Sequence, residues 1–76
     1  MKTQLELEII RDAVLLEASV LKHYALEAES TGYTYEDHGD EQRRDEFLEI
    51  AKDRYFRSRV KYRFADYLFR KIAEAQ

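Results

Sequence analysis

From Glu41 to Gln76 the chain runs for 36 residues without a glycine or a proline. That stretch limits what the whole can become, because the two residues that most readily break a helix are missing from it. It reads as one continuous helix. Taking about 100° of rotation per residue, Phe47, Ala51, Tyr55, Ser58, Tyr62, Ala65, Phe69 and Ile72 fall on one side. From Ala51 onward their mean step is about 3.5 residues, the spacing that keeps an apolar seam in contact with a second helix. A packed partner helix is therefore required.

The same helix carries a second apolar strip. Phe56, Val60, Phe64 and Tyr67 point nearly opposite to Tyr55, Tyr62 and Phe69. One partner helix cannot cover both edges, and each large side chain left in water forfeits about 1.5–3 kcal/mol of burial. The strip is thus expected at an interface, with a second copy of the chain ahead of a different protein as its occupant. The bland alternative is that the first helix wraps far enough round to cover part of it.

At 76 residues the chain is one domain. A chain of this size buries only about 60% of its extended surface, and small scaffolds usually lean on disulfides, metals or association. No cysteine is present, which rules out the first and fits a reducing, cytoplasmic setting. Charges at Lys2, Glu6 and Glu8 interrupt the opening residues, so no secretory signal is expected. No apolar run approaches the length of a membrane span.

Charge is unevenly distributed. Residues 1–50 hold 5 basic and 13 acidic groups, whereas residues 51–76 hold 8 basic and 3 acidic. The economical reading is an acidic N-terminal half folded back on a basic C-terminal one. A basic face for nucleic acid is the competing one.

The first helix is expected over residues 3–30, opened by Thr3 and Glu6 in the spacing of a capping box. Its apolar residues (Leu5, Ile9, Ile10, Ala13, Val14, Leu16, Val20, Leu21, Tyr24 and Ala28) span an arc wider than an ordinary stripe. Such a helix meets more than one neighbour. Glu17 stands near the middle of that arc, where an unpaired carboxylate would cost several kcal/mol. With a turn centred near residues 35–36, position 17 lies opposite Arg54, so a Glu17–Arg54 ion pair in or near the core is expected.

Thr31 to Asp40 reads as the connection, with Gly32 ending the first helix and Asp40 capping the second over residues 41–75. An alternative start at Thr34, with Asp37 three residues on, would place Gly39 inside the second helix. Tyr33, Tyr35, Asp37 and His38 make this connection more aromatic and acidic than a neutral linker needs. Packing of the tyrosines on the bundle end explains it, and a partner contact is the sharper possibility.

Reactive chemistry is sparse. The Glu-x-x-His spacing of bundle metal sites is absent around His23 and His38, and no glycine-rich phosphate cradle exists. The three serines lack a partner motif, so neither an enzyme nor a cofactor is expected. Lys52, Arg59, Arg63 and Arg70 line one flank of the second helix, interleaved with aromatics, and are the candidate contact for an acidic partner or nucleic acid. The expectation is an all-α antiparallel hairpin that dimerises into a four-helix bundle. It would serve as a non-enzymatic adaptor, regulator or inhibitor, with a nucleic-acid-associated regulator and a structural assembly subunit as alternatives.

Overall fold

A computed structural model describes residues 2–75. Met1 and Gln76, the latter the end of the uninterrupted C-terminal stretch, lie outside the described residues. Two helices of 34 residues each, α1 (Gln4–Asp37) and α2 (Glu41–Glu74), form an antiparallel hairpin about 56 Å long and 15 × 13 Å across.

α1 begins at the expected Thr3 cap. Thr3 is extended, and its hydroxyl accepts a hydrogen bond from the Glu6 amide at 3.2 Å, satisfying one of the orphan donors of a first turn. It does not stop at Ser30. Gly32 continues the helix, and the hydroxyls of Thr31 and Thr34 donate to the carbonyls of Glu27 and Ser30 instead of capping a new one. The stop comes at Gly39, whose φ of 76° is the left-handed conformation an L side chain resists. Around it the Gly39 amide donates to the Glu36 carbonyl and the Asp40 amide to that of Tyr35, both at 2.9 Å, the paired bonds of a Schellman motif. Asp40 then accepts from the Arg43 amide at 3.1 Å and starts α2 at Glu41.

The connection is thus three residues, His38 to Asp40, where ten were expected. Tyr33, Tyr35 and Asp37 belong to the last turns of α1. Moving the turn from residues 35–36 to Gly39 slides α2 along α1 by one heptad. Ser58 and Lys61 consequently face Ala18 and Glu17.

Small residues fill the seam. On α1 the buried positions are Val14, Ala18, Ala25, Ala28 and Gly32, and on α2 Ala51, Ser58, Ala65, Leu68 and Ile72. Two seven-residue series run through them, Ala18, Ala25, Gly32 on one helix and Ala51, Ser58, Ala65 on the other. Small side chains let two backbones approach closely. A Cβ added at Gly32 would sit 3.3 Å from the Arg44 carbonyl oxygen, and the Ser58 hydroxyl reaches across to donate to the Ala18 carbonyl at 2.8 Å. Val14, Ala65 and Leu68, flanked by Leu7, Ile10 and Leu15, form the one apolar cluster among the described residues.

This seam leaves most of the large side chains outside, with Val14, Leu68 and Ile72 toward the open end as the buried exceptions. Leu5, Ile9, Leu16, Val20 and Tyr24, part of the wide apolar arc of α1, are exposed in the single hairpin, as are Tyr62 and Phe69 on α2. Among the described residues no large side chain is fully buried. Where an alanine seam sets the spacing, the helices lie too close for bulky residues to sit between them.

Candidate interaction surfaces

The strip of Phe56, Val60, Phe64 and Tyr67 is exposed along its length, at 59, 48, 44 and 47% respectively. α1 does not wrap round to cover it. Phe64 and Tyr67 stack on each other with ring centroids 6.2 Å apart. Phe56 stands apart from them, over a shallow depression shared with Glu49, Lys52, Asp53 and Arg59.

Each broad side of the hairpin has its own groove. On one side Tyr24, Glu27, Thr31, Phe47, Ile50 and Arg54 line a depression of about 360 Å³, continued toward the helix middle by Leu16, Glu17, Val20 and Leu21. On the other, Tyr55 and Tyr62 stand over a floor of Ala51 and Ser58 in a groove of about 470 Å³, with Lys22, Glu29, Lys52 and Arg59 at its rim. Partial burial in that groove, helped by the nearby Glu29 carboxylate, raises the Tyr55 phenol above its ordinary value.

Glu17 and Arg54 do not pair. The one-heptad slide brings Lys61 to the place Arg54 was expected to hold, and Glu17 accepts from Lys61 Nζ at 2.7 Å. Nor is the pair in the core, since the side chains are 55% and 41% exposed. Ala18 takes the seam position and turns Glu17 onto the flank. Arg54 bonds its sequence neighbour Asp53. A pair so exposed contributes about 0–1 kcal/mol.

Sorting the cations by partner divides the surface. Arg11, Arg43, Arg44, Arg54, Arg57, Lys61 and Lys71 each meet a carboxylate. Lys52, Arg59, Arg63 and Arg70 form no ion pair among the described residues. Acidic residues of α1 that could reach across the hairpin are otherwise placed. Asp12 pairs with Arg11 and Glu27 with His23 at 3.0 Å, while Glu29 lies beside Tyr55. Asp53 pairs with Arg57 at 3.2 Å as its spacing implies, but Asp66 and Arg70 do not pair.

At the closed end Tyr35 stacks on Phe47 with centroids 5.5 Å apart, and the Arg43 guanidinium lies 5.4 Å over the Tyr35 ring. That contact keeps Arg43 firmly protonated, its guanidinium raised by Tyr35 and then by Asp40. Tyr35 is thus packed, while Tyr33, Asp37 and His38 are exposed. No group of three or more His, Asp or Glu is placed to hold a metal ion among the described residues. No described helix is long and apolar enough to cross a membrane.

Sequence reasoning missed Ala18, Ala25 and Gly32, the residues that set the helix approach. Their signal was present as small residues repeating every seven positions on one helix, matched by Ala51, Ser58 and Ala65 on the other. Weighing apolar positions by size hid it. Comparison with protein-family models, with curated proteins and with solved structures finds no match to this chain.

Proposed function

We propose that this chain is a small non-enzymatic interaction module, an adaptor, regulator or inhibitor, whose working form is a homo-oligomeric helical bundle, most simply two hairpins making four helices. The observation that carries this reading is the division of apolar residues. Alanine, glycine and serine occupy most of the intramolecular seam, while fourteen large apolar side chains among the described residues of both helices remain exposed. A hairpin of this size is marginal alone, and covering such rows against a second copy recovers about 1.5–3 kcal/mol for each large side chain removed from water. Solution association thereby supplies the core that the single hairpin lacks.

Light scattering tests it. Wild type is expected at a multiple of the chain mass, with Phe64→Glu shifted toward a single copy and melting lower. Should Phe56→Glu and Phe64→Glu both match wild type in mass and melting temperature, the strip is no interface and the reading fails.

A second reading is favoured by the row of Lys52, Arg59, Arg63 and Arg70, which form no ion pair among the described residues. Lys52, Arg59, Arg63 and Arg70 would then hold the phosphates of a nucleic acid or the carboxylates of an acidic protein. Retention on heparin at low salt, lost on changing Arg59 and Arg63 to Glu, supports this use of the flank. Free passage of wild type opposes it.

A further inference from the structure

Between Leu48 and Tyr62 one broad side of the hairpin repeats with the period of a helix. Tyr55 and Tyr62 rise from it seven residues apart, over a floor of Ala51 and Ser58, also seven apart. At 1.5 Å per residue that interval is about 10 Å, so a tall ring and a shallow hole alternate along the groove. A helix laid in it presents side chains at the same seven-residue interval. An extended strand presents them about every 7 Å and falls out of step at the first repeat. Both ends are closed. Toward the loop Leu48 packs on Gly32 and Arg44 is held by Glu36 and Asp45, and toward the open end the Arg11 guanidinium covers the Phe69 ring at 4.7 Å. The open length between them is about 20 Å, roughly two heptads of helix.

The rim is basic. Lys22 from α1 and Lys52 and Arg59 from α2 share it with one acid, Glu29. None of the three cations forms an ion pair among the described residues. Lys52 and Arg59 are themselves seven residues apart, and Asp45 and Asp66, the members of that series on either side, fall beyond Leu48 and Tyr62. On the outer flank of the pair, where Glu49 and Asp53 stand, Asp53 is bonded to Arg54 and Arg57. The groove thus combines an apolar floor, aromatic ridges and uncompensated positive charge.

Resting on the interaction-module reading above, we infer that this groove receives a helix of a partner protein, amphipathic and acidic. Its apolar residues, seven apart, seat between the tyrosines, and carboxylates at that interval along one edge meet Lys52 and Arg59, as charged edges do in a coiled coil. A second copy does not supply such a helix. Acids of this chain recur at seven residues only as Glu29 with Glu36 and as Glu46 with Asp53, and Glu29 lies in the groove itself while Glu36 and Asp53 already meet arginines. A nucleic acid would satisfy the cations and leave the alanine floor wet. The strip of Phe56, Val60, Phe64 and Tyr67 points nearly away from Tyr62, so self-association there leaves the groove open for the partner.

The probes are a synthetic peptide of about three heptads with Leu at its a and d positions and Glu at e and g, the same peptide with Lys for every Glu, and a single-stranded oligonucleotide. Each is labelled and titrated with the full chain in fluorescence anisotropy, while light scattering gives the mass and circular dichroism the helicity of each variant. The acidic peptide is expected to bind and the basic one not. Lys52→Glu with Arg59→Glu should weaken that binding by about tenfold or more, and Tyr62→Ala should weaken it at unchanged charge and unchanged mass. Lys71→Glu, outside the groove, should leave it as it is. No binding of the acidic peptide, or equal binding of both peptides, overturns the inference. So does capture of the oligonucleotide alone, and so does a mass that falls with Tyr62→Ala, which would put a second copy in the groove. A single-copy mass for wild type with the acidic peptide still bound upholds the groove and removes only the self-association proposed above.

Discussion

Gly32 shows at the scale of one residue how a helix can carry a helix breaker. Glycine costs a helix interior about 1 kcal/mol relative to alanine, yet any Cβ here would press on the Arg44 carbonyl oxygen and on Leu48 Cδ2, each at 3.3 Å. The two effects oppose each other, so Gly32→Ala is expected to melt near wild type, whereas Gly32→Val destabilises by about 1–3 kcal/mol through overpacking. Thermal unfolding of the pair measures it, and a harmless valine would show that the helices are further apart. Ser58 bonds the Ala18 carbonyl from a buried position. Its replacement by alanine is expected to cost about 0.5–1.5 kcal/mol in urea unfolding, since that carbonyl keeps its helical partner. Tyr55 gives a pH signature. Its phenol is raised by burial and by Glu29, so the unfolded chain ionises first. The neutral phenol's contribution is whole below the ordinary tyrosine value of about 10 and is lost as pH rises through the folded value. Tyr55→Phe is expected to flatten that alkaline loss in melting curves taken from pH 8 to 11, and an unchanged slope would remove the tyrosine from the account.

Helix ends are decided at the scale of the element by short-range chemistry, and here most of what was legible in the sequence lies. Thr3 and Asp40 accept the amide bonds their positions imply, and α2 runs from Glu41 without a break. The C-terminus of α1 was misplaced because two glycines competed for the stop and both match the same local signal. Only contact with Leu48 and Arg44 shows that Gly32 is needed for closeness, leaving Gly39 to take the left-handed turn. The Glu17 pairing failed for the same reason, since register follows from the turn and an error in the turn moves every partner on α2. Gly39→Ala forces an alanine to φ 76° and is expected to cost about 1 kcal/mol, against the gain that alanine brings at an ordinary helical site. Asp40→Ala removes the cap and should cost a similar amount, about 1 kcal/mol. Both are read by thermal melts, and a stabilised Gly39→Ala would mean that the turn lies elsewhere.

For the molecule as a whole, the measurable quantity is whether folding depends on concentration. If hairpins associate through their exposed rows, the melting temperature rises with chain concentration, because association favours the folded form by mass action. A constant melting temperature over a hundredfold dilution would mark the hairpin as self-sufficient. Two long helices, their antiparallel return, the caps at Thr3 and Asp40 and the bare strip from Phe56 to Tyr67 all follow from the sequence by itself, because each depends on residues within a few positions of one another. The α2 side of the seam, Ala51, Ser58, Ala65 and Ile72, followed as well; which residues of α1 would meet it did not. The tertiary structure chose a seam of Ala18, Ala25, Gly32, Ala51, Ser58 and Ala65 over the larger side chains beside them. Two backbones brought close enough for Ser58 to bond Ala18 leave no room at that height for a leucine or a phenylalanine between them, and that distance is a property of the pair of helices.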